Sequence, residues 1–210
     1  WPRAPAWSVA VGRKPQYSAD DILDAALGLV AAGGPSAATA TAIGRVLGAP
    51  SGSIYHRFPS RDELMARLWL RSIARYQDGV LTALALPDAD DALAAAIDHA
   101  FDWTASNHNE ALLLLQYEKA DLVAHWPDTL ATELKSLNSR VRKTLREYTD
   151  RRYGKVTTER IDKVMFALID MPYAAVRRHL PDKGEPAPWL REFVHTSAHA
   201  LLARACPNEP

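Results

Sequence analysis

The sequence predicts an all-α protein, with a compact amino-terminal three-helix unit followed by a larger helical bundle, about nine helices in all. Three observations predict it. Apolar residues recur at spacings of three and four along most of the 210-residue chain. Ser, Thr or Asp stands repeatedly just before such runs, and Gly or Pro just after them, which is the punctuation of helices. Runs of aromatic and β-branched residues, which a sheet protein would need, are scarce.

The elements follow in order. Residues 1–16, WPRAPAWSVAVGRKPQ, have scattered prolines and arginines and no apolar stretch, so they read as a flexible basic arm and not as a signal peptide. Ser18, Asp20 and Asp21 lead into Ile22, Leu23, Ala26, Leu27, Leu29 and Val30, an amphipathic helix that stops at Gly33-Gly34-Pro35. A second, short helix runs from a Thr39 cap through Ile43 to Leu47, and Gly48 ends it. Pro50 is placed to open a third. Ser60 and Glu63 form a capping box, after which Leu64, Leu68, Ile73, Tyr76, Val80 and Leu84 carry one apolar face for about six turns. Beyond Pro87 come helices near 90–105 and, behind an Asn107/Glu110 box, 109–122. Pro127 starts a long one through Leu130, Leu134, Leu137, Val141, Leu145 and Tyr148. Another spans Thr157 to about His179, interrupted by Pro172, and the last spans about Pro188 to Ala205. The expected units are the arm, a head at 17–62 and a bundle at 63–210.

Formal net charge is zero, but it is unevenly spread. Up to Arg61 the basic residues are Arg3, Arg13, Lys14, Arg45, Arg57 and Arg61 against Asp20, Asp21 and Asp24, so the amino-terminal part is the basic one. The lone Cys206 fits a reducing compartment, with the cytoplasm expected. The longest apolar stretches, such as Ala111 to Leu115, fall far short of the roughly 20 residues of a membrane helix.

Thr39 to Phe58, TATAIGRVLGAPSGSIYHRF, has the form of a helix-turn-helix: small residues where two helices touch, a glycine turn, then a helix whose start is polar. Ile43, Gly44, Ile54 and Phe58 are its anchors. Ser51, Gly52, Ser53, Tyr55, His56 and Arg57 are left for the outside.

With the preceding ILDAALGLVAAGG and the following IYHRFPSRDELMARLW, this segment resembles the DNA-binding domain of the TetR family of bacterial transcriptional regulators. The resemblance implies that Ser51, Ser53 and the Tyr55 hydroxyl bond phosphate oxygens, that Gly52 lets the backbone approach the duplex, and that Arg61 reaches a phosphate. Thr39 is a further candidate for DNA contact. Thr41, Arg45, His56 and Arg57 become candidates for base edges, Arg being best suited to guanine. Many members carry Lys where Ser51 stands and a Ser cap where Pro50 stands; Arg13 and Lys14 of the arm are candidates to compensate for the missing charge. The family likeness further implies a homodimer through the last two helices, ALIDMPYAAVRRHLP and PAPWLREFVHTSAHALLARA, a pseudo-palindromic DNA operator, and release by a small apolar or aromatic effector.

Trp103, Tyr117 and Trp126 with His99, His108 and His125 are candidates to line an effector pocket, as are Phe166 and Met171 beside Pro172; plain core packing is the competing reading for each. His195 and His199, spaced i, i+4, lack the glutamate of a zinc motif and a third ligand, so no metal is expected, and a solvated face or a dimer seam is the reading for them. Asp98 and Asp102, also i, i+4, read as solvent-facing. No phosphate loop, nucleotide fingerprint or nucleophile elbow appears, and no cofactor or catalytic residue is expected. The competing functions are a helical enzyme or lipid carrier using the bundle cavity, and an interaction module that does not bind DNA.

Overall fold

The computed structural model describes residues 17–116, 128–180 and 186–203. Among these residues the chain is helical throughout, without strands. α1 is Ala19–Gly33, followed by a 3-10 turn at Pro35–Ala37; α2 is Ala40–Leu47, α3 Ser51–Arg57 and α4 Arg61–Leu84. α5 is Ala89–Ser106, α6 His108–Gln116 and α7 Asp128–Tyr153. α8 is a continuous rod of three pieces, Thr158–Met165, Phe166–Asp170 and Met171–Arg177, and α9 is Pro188–Ala203. The arm, Tyr117, Trp126, His125, Pro127 and Cys206 lie outside the described residues.

Expected caps act at the starts of α1, α2 and α4, the last through the Ser60 half of its box. Ser18 and Asp21 make a reciprocal capping box at α1, and the Thr39 and Ser60 hydroxyls accept from the amides of Ala42 and Glu63. Each satisfies an amide that a bare helix start would leave open. Gly48 ends α2 at φ 65°, where a side chain would be strained.

Two expectations are corrected. Pro172 does not interrupt α8. The irregularity lies just before it, a π-helical turn over Phe166–Asp170 in which the Met171 amide donates to the Phe166 carbonyl. Widening the turn takes up the proline ring and its missing donor without breaking the rod. Glu110 does not cap α6 in partnership with Asn107. It is buried and accepts instead from the Ser72 hydroxyl at 3.3 Å and the Arg75 guanidinium at 3.0 Å, both on α4. A carboxylate turned inward needs such partners, and α4 supplies them.

Burial falls into two apolar clusters. The first holds Ile22, Leu23, Ala26, Val30, Ile43, Ile54 and Phe58 of the head with Leu64, Met65, Ala66, Leu68, Trp69 and Leu70 of α4, and also Leu113 of α6 and Leu130 and Leu134 of α7. The second holds Val80 and Leu84 of α4, Leu93, Ile97 and Phe101 of α5, Leu145 and Tyr148 of α7, and residues of α8 and α9. α4 runs through both. Between them its contacts turn polar: Ser72 and Arg75 meet Glu110, Gln77 donates to Asn138 on α7, and the Tyr76 carbonyl accepts from the His99 ring at 2.9 Å. His99 seats there because Gly79 leaves a notch; a Cβ on Gly79 would stand 2.0 Å from the imidazole.

Candidate nucleic-acid interface

The head is fixed from within. Ile54 and Phe58 are buried on one side of α3, Ile43 and Gly44 on the facing side of α2. A Cβ on Gly44 would lie 2.6 Å from the Ala49 carbonyl oxygen, so glycine is what lets the turn close on α2. With those sides occupied, Ser51, Gly52, Ser53, Tyr55 and His56 are left exposed on α3, and Arg57 half-buried at its end. Tyr55 is 55% exposed, a large ring and its hydroxyl held in solvent by a buried neighbour. Thr39, Thr41 and Arg45 are exposed on and beside α2.

Thr39, Tyr55, Ser60 and Arg61 surround a hollow of about 130 Å³ floored by Ile54, Phe58 and Leu64. The amino ends of α2 and α4 both open on it, at Thr39–Ala40 and Ser60–Arg61, and both ends are electropositive. Hydroxyls, a guanidinium and two helix starts in one place form a surface suited to phosphate oxygens. Ser60 was read from the sequence only as a cap; its place in this hollow needed the fold. Arg61 also has an internal task, donating to the Pro35 carbonyl and tying the start of α4 to the turn after α1.

The bundle residues separate into two places. His99 and Trp103 both pack on Tyr76, with ring centroids 5.3 Å and 5.2 Å apart, the indole edge-on. Burial pushes the Tyr76 hydroxyl up to about 12. Tyr76, read from the sequence only as part of an apolar face, is the centre of this aromatic group. Phe166 and Met171 lie elsewhere, lining an open apolar groove of about 270 Å³ with Leu190, Phe193 and Val194 of α9. Phe166 is 52% exposed.

The acidic pair and the histidines of the carboxyl end are not free on the surface. His195 donates to the Asp98 carboxylate at 2.9 Å, His199 lies 3.5 Å from Asp90, and Arg191 reaches both Asp98 and Asp102. These contacts fasten α9 to α5 while Asp98 and Asp102 remain solvent-facing, at 44% and 64% side-chain exposure. Among the described residues no group of three or more metal-ligating side chains comes together, and no helix is long and apolar enough to cross a membrane.

Residues 22–68 match the family model for bacterial regulatory proteins of the tetR family. No curated protein sequence matches the chain. Among solved structures, the fatty acid degradation regulator FadR from Bacillus halodurans is 17% identical over 90% of this chain and 100% of its own, with a TM-score of 0.65. The transcriptional regulator FadR from Bacillus subtilis, solved in complex with stearoyl-CoA, is 16% identical over 89% of this chain and 98% of its own, at 0.66. The TetR family regulator PfmR from Thermus thermophilus is 17% identical over 86% of this chain and 96% of its own, at 0.64. Residues 22–68 thus match the amino-terminal domain model of the tetR family of bacterial regulatory proteins, on a chain that shares the fold of solved regulators.

Proposed function

We propose that the protein is a ligand-responsive transcriptional regulator, a repressor that binds a pseudo-palindromic operator as a homodimer and is released by a small apolar or aromatic effector. One observation carries the DNA-binding part: Thr39, Tyr55, Ser60 and Arg61 converge on one hollow, and the exposed face of α3 stands beside it. In this reading Thr39, Ser51, Ser53, Tyr55 and Arg61 hold phosphates, Gly52 admits the backbone, and Thr41, Arg45, His56 and Arg57 read bases. The head at 17–62 is the DNA-binding unit, the bundle at 63–210 binds effector and partner, and the arm at 1–16 lies along the duplex.

The dimer reading is supported by an apolar surface on α8 and α9. Met165, Phe166, Tyr173, Trp189 and Phe193 are 38%, 52%, 46%, 65% and 58% exposed. Large side chains clustered this way mark a covered face, and a second copy turned by a two-fold axis would cover it. Phe166 and Met171 serve this face better than an effector pocket. For the effector, His99 and Trp103 around Tyr76 are the described candidates, with Tyr117 and Trp126 the others. That a neighbour of the same fold was solved with stearoyl-CoA supports an apolar ligand. Acting on chromosomal DNA, such a regulator works in the cytoplasm.

Selection of bound duplexes from a random pool tests the reading. The expected product is a pseudo-palindromic consensus whose affinity falls by about 10³ to 10⁵ between 50 and 200 mM salt, as for roughly 6 to 10 phosphate contacts. Indifference to DNA at low salt would refute it.

A further inference from the structure

The two apolar clusters do not merge along α4. Ile73 packs on the first and Tyr76 on the second, and on α7 Leu137 and Val141 divide in the same way. Between those pairs stand two amides, Gln77 on α4 and Asn138 on α7, bonded at 3.3 Å. Tyr76, Gln77, Trp103 and Asn138 are only half-buried, although α4 has neighbours here on α5, α6 and α7. Packing is therefore incomplete in the middle of the bundle, where a core would ordinarily be dense.

Two polar groups of this layer lack partners. The Gln77 Oε1 is buried without a donor. The Tyr76 hydroxyl has no hydrogen-bond partner among the described residues; its ring meets His99 and Trp103, and its carbonyl meets His99. A buried tyrosine ordinarily finds a partner for its hydroxyl, so this one is left available to something else.

Electrostatics limit what that can be. Desolvation alone pushes the Tyr76 hydroxyl up to about 12, whereas an unpaired cation nearby would pull it down. The charges on adjacent positions of α4 are already engaged, Arg75 with Glu110 and Asp78 with Arg140. A carboxylate or phosphate brought beside Tyr76 would lose its water and gain no counter-ion. A neutral oxygen would lose far less, and it would gain a donor.

We infer that the ligand of the bundle is electrically neutral, an apolar molecule whose carbonyl or ether oxygen accepts from the Tyr76 hydroxyl, with Trp103 and the Gln77 amide beside it. This rests on the reading of the bundle as the effector-binding unit, and it names the chemical class that the unit takes.

The test titrates the full chain at neutral pH, by calorimetry, with acetylnaphthalene, naphthoate and ethylnaphthalene, which are matched in shape and differ in one group, and with stearoyl-CoA. Acetylnaphthalene should bind at least about tenfold more tightly than naphthoate. Tyr76→Phe should weaken acetylnaphthalene by about two- to tenfold, the loss of one hydrogen bond, and leave ethylnaphthalene unchanged. Its melting temperature should match wild type, because the hydroxyl removed has no partner in the fold. The inference is overturned if naphthoate or stearoyl-CoA binds as tightly as the ketone, or if the variant loses ketone and hydrocarbon alike. A lowered melting temperature, or no binding by any probe, would overturn it too. Addition of each bound probe to the protein on its selected operator tells the two readings apart. Naphthoate or stearoyl-CoA that binds and releases DNA would sink the neutral-ligand inference and leave the regulatory reading standing. Acetylnaphthalene that binds through Tyr76 without releasing DNA would do the reverse.

Discussion

Gly44 shows how little room the head leaves for change: the Ala49 carbonyl oxygen lies where a methyl group would go. Gly44→Ala should lower stability by about 1–3 kcal/mol, measured as a fall in unfolding midpoint at constant denaturant slope. An unchanged midpoint would mean that the turn can shift freely. Tyr55 is the opposite case, a residue whose exposure argues that it packs on nothing that matters to folding. Tyr55→Phe should leave the melting temperature unchanged and weaken binding to all duplexes alike, by about 0.5–1.5 kcal/mol for one lost hydroxyl contact. Arg45→Ala should instead alter which sequences are preferred. Equal affinity of wild type and Tyr55→Phe across salt concentrations would remove Tyr55 from the phosphate set. The anchors Ile43, Ile54 and Phe58 were legible as apolar positions in the segment; the internal bond from Arg61 to Pro35 was not, because nothing in the local spacing signals it.

Among the elements, α1 carries a pH dependence of known sign. The Asp21 carboxyl is held below its ordinary value of 3.8, first by the Ser18 backbone amide and then by the Ser18 hydroxyl. A lowered value in the folded state means that the unfolded chain takes up the proton first as pH falls. The stabilisation is therefore complete above the ordinary value and is lost as pH drops through the folded one. Thermal unfolding of wild type and Asp21→Ala should show a gap that is constant near neutrality and closes in acid; a gap independent of pH down to about 2 would show that the charge plays no part. α6 depends on a different contact. Glu110→Ala would leave Ser72 and Arg75 without their shared acceptor and should cost about 2 kcal/mol of stability. A surface cap, the reading its sequence spacing first suggests, would cost about half of that or less, so the same melting experiment separates the two.

For the molecule as a whole, the exposed Trp189 and Phe193 make the prediction on assembly. Phe193→Glu should convert a dimer to a monomer in sedimentation while the melting of the isolated fold stays within about 0.5 kcal/mol, since the ring is 58% exposed. Operator affinity should fall by more than about tenfold, because two linked heads no longer bind together. A variant that remains dimeric would move the interface off this face.

Periodicity and capping by themselves determined the helices, the head and its outward polar face, since those depend on residues three or four apart on one helix. Tertiary structure decided how the polar residues are used. Arg61 meets Pro35 across 26 positions, Glu110 meets Ser72 across 38, and His195 meets Asp98 across 97. It also decided that the head shares its core with α6 and α7, so the packing does not divide at the start of α4. The physical reason is that a helix's own spacing records which side is apolar, whereas the partner on that side is chosen by how the helices cross, and no local pattern records a crossing.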